Sequence, residues 1–150
     1  MMMVVFIIMI LIDKKVDFQV LDNLEGIRNK WIEIFAGNLT ERERKEISID
    51  NHLWHIFSYR KKDCLEGEDA VEAFNNLRKK GYYVFFDYDI YTYEDFFGYE
   101  NKVFEVFGWN KMKAEDFSCD DIYIVDKEFT WTYVWTHEGF WCGPYFASCE

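Results

Sequence analysis

The feature that most constrains the fold of this 150-residue chain is the alternation in FTWTYVWT, residues 129–136. Aromatic rings occupy every second position of that segment: Phe129, Trp131, Tyr133 and Trp135. Because successive side chains of a strand point to opposite faces of a sheet, the pattern predicts a strand with one buried face. The apolar run IYIV (122–125) precedes it across the short connection DKE. The two runs together predict an antiparallel hairpin at the carboxyl end of the chain.

Three segments before the hairpin are predicted to be helices. Apolar residues at helical spacing predict a first helix over residues 24–35, capped by Asp22 or Asn23 and ended by Gly37. A short, charged helix follows, and its start is marked by a capping box formed by Thr40 and Glu43.

A further helix is predicted over residues 68–80. Its first turn carries Glu68 and Asp69, its last turn carries Lys79 and Lys80, and Gly81 is the expected C-cap. The run YYVFF (82–86) then predicts a buried strand.

Three segments give weaker signals. HLWHIFSY (52–59) fits strand alternation or helical spacing, and we favour a strand or a turn leading into one. Residues 87–121 mix aromatic and acidic residues with little periodicity, and residues 144–147 predict a last short strand. We therefore expect one α+β domain over residues 15–150: an antiparallel sheet that ends in the hairpin, with two or three helices on one face.

The chain begins with MMMVVFIIMILI, an apolar run too short to cross a bilayer as a helix. It lacks the basic segment and the small-residue cleavage site of a signal peptide. Residues 1–14 are expected to form either an apolar extension, added by an early start codon, or a strand at the edge of the sheet. A membrane location is not expected, and we predict a cytoplasmic protein.

The formal net charge is −11, and residues 87–128 hold twelve acidic and four basic residues. Such a chain lacks the basic stripe that neutralises phosphates, so we expect no direct binding to nucleic acid. Charge complementarity instead favours a protein partner with a basic surface, although solubility alone would also explain the charge.

The segment THEGFWC places His137, Glu138 and Cys142 within seven residues. A Cys–His pair can act as a nucleophile and its base, but only within hydrogen-bond reach and with a lowered thiol pKa. The four cysteines show no C-x-x-C spacing, so we expect free thiols in a reducing compartment.

The three histidines of the chain are candidate metal ligands. His52 and His55 would share a helix face, and His137, Cys142 and Cys149 would complete a set of ligands. This spacing differs from the tight pairs of structural zinc sites, so neither metal nor cofactor is expected.

The sequence contains no complete calcium-binding or catalytic motif. DYDIYTYED begins like a calcium loop but lacks the glycine at its sixth position. No phosphate-binding loop, dinucleotide fingerprint or hydrolase motif occurs.

Two stretches of the chain resemble a known family. They are LWHIFSY…DCLEGEDAVEAFNNLRKKGYYVF (53–85) and DIYIVDKEFTWTYVWTHE…CGPYF (121–146). The chain is similar there to small proteins of spore-forming Gram-positive bacteria that share domain of unknown function 4275. The likeness begins near Lys15, excludes the apolar start and is loose over residues 87–120. It implies a small, single-domain cytosolic protein and brings no established activity.

Two functions remain open from the sequence. The favoured one is a non-enzymatic interaction protein, similar to an immunity protein or antitoxin, that inhibits a basic partner. The alternative is a small enzyme or metal-binding domain that uses His55, His137, Glu138 and Cys142. The candidate binding residues are Trp54, His55, Trp131, His137, Glu138 and Tyr145.

Overall fold

The computed structural model describes residues 3–88, 90–92, 100–110 and 112–149. The helices are α1 (Met3–Asp13), α2 (Leu24–Phe35), α3 (Glu41–Glu46), α4 (His55–Ser58) and α5 (Glu68–Asn76). The strands are β1 (Phe18–Leu21), β2 (Leu65–Glu66), β3 (Lys79–Phe86), β4 (Val103–Asn110), β5 (Ile122–Asp126), β6 (Trp131–Trp135) and β7 (Tyr145–Ser148). Single 3₁₀ turns lie at Ile90–Thr92, Ala114–Phe117 and Gly139–Trp141.

The strands form one seven-stranded antiparallel sheet in the order β1-β4-β3-β5-β6-β7-β2. The predicted hairpin is present, with Ile122 opposite Trp135 and Val125 opposite Thr132. The expected α+β fold and the last short strand, here β7, are confirmed. The predicted capping box at Thr40 and Glu43 is also confirmed.

The helices cover both faces of the sheet, whereas the sequence predicted one covered face. Trp31 of α2 donates its indole N–H to the Thr132 hydroxyl at 2.9 Å, and Phe74 of α5 stacks on Tyr133 at 4.6 Å. Thr132 and Tyr133 are neighbours in β6 and point to opposite faces. Both are fully buried, so the regular alternation of β6 does not mean that one of its faces is exposed to solvent.

The apolar start of the chain is a helix, so the expectation of an edge strand was wrong. Ile7 and Leu11 lie four residues apart, on one side of α1, and both have no exposed surface. The opposite side leaves Met9 and Ile12 exposed. In a run that is apolar at nearly every position, periodicity cannot separate a helix from a strand. Among the residues that the structure describes, no helix has both the length and the apolar character needed to cross a membrane.

Two other predicted elements were wrong in type or extent. Residues 52–59 form a turn that leads into α4, so the preferred strand is absent there. The helix predicted to reach residue 80 ends at Asn76, because Leu77 is already extended. The Lys79 ammonium donates to the Phe74 carbonyl at 2.8 Å and satisfies the last turn of α5. Lys79 and Gly81 therefore belong to β3 and not to a helix end.

Antiparallel pairing places the ends of three central strands side by side, at one end of the sheet. Phe86 at the end of β3 lies opposite Ile122 at the start of β5, and Ile122 lies opposite Trp135 at the end of β6. The residues just beyond these positions are Asp87, Asp121 and, after Thr136, His137. Sheet register thus brings together chemical groups that lie up to 50 residues apart in the chain.

The buried contact between α2 and β6 gives a stability prediction. In Thr132→Val, the Trp31 N–H loses its acceptor in the interior and the Ile124 carbonyl loses the bond from Thr132. We expect the free energy of unfolding to fall by about 1–3 kcal/mol in urea titrations. Thr132→Ser keeps the hydroxyl and is expected to lose less. A Thr132→Val protein as stable as the wild type would show that the bond contributes nothing.

Candidate functional site

The end of the sheet described above carries a compact cluster of acids, imidazoles and one indole. The residues that form it are His52, Trp54, Asp87, Asp121 and His137, and we call them the His–Asp cluster. The segment before α4 lies against this end of the sheet. The Leu53 backbone N–H donates to Asp87 at 3.2 Å, and the Trp54 backbone N–H donates to the Tyr123 hydroxyl at 3.0 Å. The cluster is therefore built from four separate segments of the chain.

Asp121 is only 2% exposed, and the two oxygens of its carboxylate have different partners. Oδ1 accepts hydrogen bonds from the Trp54 indole N–H at 2.9 Å and from the His137 backbone N–H at 3.0 Å. His137 Nδ1 lies 3.0 Å from Oδ1 and 2.9 Å from Oδ2, and Oδ2 also lies 3.8 Å from His52 Nδ1. Asp121 also has a φ of 38°, a conformation that side chains other than glycine adopt at a cost and that recurs at functional sites. Both oxygens thus face the His137 ring, Oδ1 is also held by two N–H donors, and Oδ2 is the oxygen that lies near His52.

Asp87 is fully buried beside Asp121. Its carboxylate lies 3.0 Å from His52 Nδ1 and accepts a hydrogen bond from the Tyr123 hydroxyl at 2.8 Å. Burial raises the pKa of Asp87, and the charge of Asp121 raises it further, while the bonds from His52 and Tyr123 oppose the shift. The same burial raises the pKa of Tyr123 well above its ordinary value, so this hydroxyl remains a donor. The buried Arg28 guanidinium lies 3.7 Å from Asp87.

All three histidines of the chain lie around Trp54. The His52 ring stacks on the indole at 5.0 Å, the His55 ring meets it edge-on at 4.7 Å, and the His137 ring lies at 5.9 Å. The centroids of His52 and His137 are 5.3 Å apart. His55 turns its Nδ1 towards the Ile47 carbonyl, away from the two acids. Only two of the three imidazoles therefore face the carboxylates.

His52, Asp121 and His137 form a set that can hold a metal ion. One ligand atom from each residue lies within 4.8 Å of the other two. Two donors on a tetrahedral zinc ion, with bonds of about 2.0–2.1 Å, are separated by about 3.3 Å, so small side-chain movements would suffice. Two imidazoles and a carboxylate are ligands that zinc and ferrous iron both accept. The side chain of His137 is 44% exposed, which leaves an approach from solvent.

The structure brings together some of the predicted site residues and separates others. Trp54, His55 and His137 meet at the cluster, and Glu138 follows as an exposed neighbour of His137. Tyr145 is buried in β7 against Phe57. Trp131 begins β6 at the opposite end of the sheet, where it packs on Phe74 and Phe146.

Cys142 makes its hydrogen bonds outside the His–Asp cluster. Its sulfur lies 3.1 Å from the Tyr145 hydroxyl, and its backbone carbonyl accepts a hydrogen bond from the Thr136 hydroxyl at 2.6 Å. Burial raises the pKa of the Cys142 thiol, which is the opposite of the shift that a nucleophilic cysteine needs. In THEGFWC the cysteine therefore closes a turn, and His137 alone reaches the acids.

Sequence reasoning missed the roles of Arg28, Asp87, Asp121 and Tyr123. A usable signal was present, because YYVFF is followed at once by Asp87 and IYIV is preceded at once by Asp121. Acids that directly precede or follow buried strands lie at the ends of the sheet, where side chains from distant segments meet. The calcium-like segment over residues 87–95 lies partly outside the described residues.

Fold and site together define a small α+β domain in which two imidazoles face a buried pair of acids at one end of the sheet. The chain belongs to the family described as domain of unknown function DUF4275, whose model matches residues 5–146. The match includes most of α1, so the expectation that the likeness begins near Lys15 was wrong. Neither the curated proteins nor the solved structures contain a match to the chain.

The raised pKa of Cys142 gives a reactivity prediction. Alkylation by iodoacetamide requires the thiolate, so labelling of Cys142 is expected to be slow at neutral pH and to keep rising above pH 9. Peptide mass spectrometry across a pH series measures this rate.

Tyr145→Phe is the matched variant for this measurement. It removes the hydroxyl that stabilises the thiolate, and it should slow labelling further. A labelling rate that reaches its plateau below pH 8 would contradict the assignment of an unactivated thiol.

Proposed function

We propose that this protein is a metal-binding domain with a mononuclear site for a divalent first-row ion, held by His52, Asp121 and His137. The observation that carries the proposal is the convergence of one buried carboxylate and two imidazoles within 4.8 Å. This departs from the expectation that no metal is bound, which rested on the spacing of ligands along the chain. The site belongs to the alternative function drawn from the sequence, with His52 and Asp121 in place of His55, Glu138 and Cys142.

The charges around the site favour a cation. Asp87 and Asp121 are both buried, and the buried Arg28 guanidinium supplies one compensating positive charge, at 3.7 Å from Asp87. Ionising both carboxylates is costly there, because isolated charges are strongly disfavoured in the interior, and the raised pKa of Asp87 reflects that cost. A divalent ion at Asp121 would offset the remaining negative charge.

The neighbouring residues have supporting roles in this proposal. Trp54 and the His137 backbone donate to Asp121 Oδ1, and Oδ2, which lies near both histidine rings, is the proposed ligand atom. Asp87 faces one nitrogen of His52 and fixes the orientation of that ring, as carboxylates commonly do behind metal-bound histidines. Three protein ligands leave a coordination position for water, and the ion would supply Lewis-acid activation of that water.

The proposal predicts stoichiometric metal binding to the chelator-treated chain. Calorimetry with Zn²⁺ is expected to show one equivalent bound, and Co²⁺ should give a visible absorption band at the same stoichiometry. His137→Gln and His52→Gln each remove a ligand and should abolish stoichiometric binding at micromolar metal. Asp87→Asn is expected to weaken binding about 10–100-fold, because it weakens the support of His52 without removing a ligand.

His55→Gln is the matched control, because His55 has the same side chain and lies beside Trp54 but faces the Ile47 carbonyl. Zinc affinity should be unchanged in this variant. Absence of stoichiometric binding by the wild type would overturn the proposal. Equal losses in His55→Gln and His137→Gln would show adventitious binding to surface histidine.

A second candidate function is the interaction protein favoured by the sequence, with a basic protein as its partner. Trp141 is 97% exposed and Phe140 is 55% exposed, next to the acidic Glu138. Exposed aromatic residues with acids around them are common anchors of protein interfaces. The net charge of −11 would speed encounter with a positive surface. An inhibitor of the immunity or antitoxin type would use such a surface.

Affinity capture from host lysate tests this function. A basic protein should be retained at low salt and released at high salt, and Trp141→Ala should lose it. Val20→Ala, an exposed apolar position on the edge strand β1, is the control and should retain it. Equal capture by both variants, or capture that salt does not affect, would contradict an acidic interface centred on Trp141.

A further inference from the structure

The side of α1 that faces away from the core is an apolar surface exposed to solvent. Residues 5–12 read VFIIMILI and include no charged, hydroxyl or amide side chain. Val5 is 37% exposed, Met9 is 51% exposed and Ile12 is 60% exposed. Positions i, i+4 and i+7 lie on one side of a helix, so these three side chains form a single line. We call this line the outer stripe of α1.

The helix is apolar on both of its sides. Ile7 and Leu11 pack into the core, while the outer stripe faces water. A helix at the surface of a protein normally carries charged residues on its outer side, and a helix that is apolar all round is normally buried all round. Single exposed apolar residues are common and need no explanation, but a stripe of them marks a surface that another apolar partner covers.

The area of the outer stripe is too small for a stable contact with a second copy of the chain. Burying one aliphatic side chain completely removes about 60–120 Å² of apolar surface from water. Three partly exposed side chains therefore offer at most about 350 Å². Each partner in a standard protein interface contributes about 800 Å².

The chemistry of the outer stripe also differs from that of a protein interface. Protein interfaces carry about one hydrogen bond per 100–200 Å², and they centre on tryptophan, tyrosine and arginine. The outer stripe consists of two branched aliphatic side chains and one thioether, so it offers none of these contacts. Lipid acyl chains need no directional partner, and their affinity for a helix grows with the apolar area that it buries among them.

We propose that the outer stripe of α1 inserts into the surface of a lipid bilayer, with the helix lying in the plane of that surface. The domain that packs against Ile7 and Leu11 takes the place of the polar side that an isolated interfacial helix would need. This differs from the expectation that no membrane is involved. That expectation rested on the length needed to cross a bilayer and on the lack of a signal peptide, and neither bears on a helix that lies at the surface.

The charge of the chain determines which lipids this helix should favour. The residues that follow the stripe are Asp13, Lys14, Lys15 and Asp17, so the two acids and the two bases balance. The whole chain carries −11, which opposes approach to an anionic surface. Basic interfacial helices prefer anionic lipids. We therefore expect this protein to bind neutral vesicles more tightly than anionic ones at low salt, and added salt should remove the difference by screening.

The test is flotation of the full chain with phosphatidylcholine vesicles, compared with vesicles that also contain phosphatidylglycerol. We expect reversible binding to phosphatidylcholine with a partition constant of about 10³–10⁴ M⁻¹, at or below that of a single myristoyl chain. Met9→Gln combined with Ile12→Gln should weaken binding about tenfold, because it removes most of the inserted apolar surface. Both positions are exposed, so thermal unfolding should be unchanged.

Leu65→Gln is the matched control, because Leu65 is an aliphatic residue that is 45% exposed on β2, at the edge of the sheet away from β1. Vesicle binding should be unchanged in this variant. The proposal would be overturned by wild-type flotation no greater than that of the double variant, by an equal loss in Leu65→Gln, or by binding that requires phosphatidylglycerol. A wild-type dimer in sedimentation that the double variant abolishes would also overturn it, because a second copy would then cover the stripe.

Discussion

Two carboxylates buried side by side at one end of the sheet impose the strongest constraint on this structure. An ionised acid in the interior is tolerated only when hydrogen bonds or opposite charges compensate it. For Asp87 and Asp121 the partners come from α2, from the turn before α4, from β5 and from the end of β6. The turn over residues 52–54 has little regular structure of its own, yet two of its backbone N–H groups donate hydrogen bonds to Asp87 and Tyr123. The acid pair therefore positions the segment that carries the histidine and the indole of the site.

The elements that the sequence predicted well are those whose signals are local. The alternation of β6, the apolar face of α2 and the capping box at Thr40 each depend on residues within a few positions of one another. The elements that it predicted poorly depend on distant contacts. Residues 52–59 alternate like a strand but are held as a turn and a short helix by Asp87 and Tyr123. The apolar run at the start forms α1, whose Ile7 and Leu11 are buried only because the remainder of the domain covers them.

The site divides in the same way. Trp54, His55 and His137 attract notice from residue type alone, but nothing local shows that His55 faces a backbone carbonyl while His52 faces the acids. Asp87 and Asp121 are separated by 34 positions, and only the register of β3 against β5 makes them neighbours. Cys142 shows the converse, because its closeness to His137 in sequence does not translate into contact. Sequence spacing is informative for ligands on one helix, and it is much less so for ligands collected from the ends of antiparallel strands.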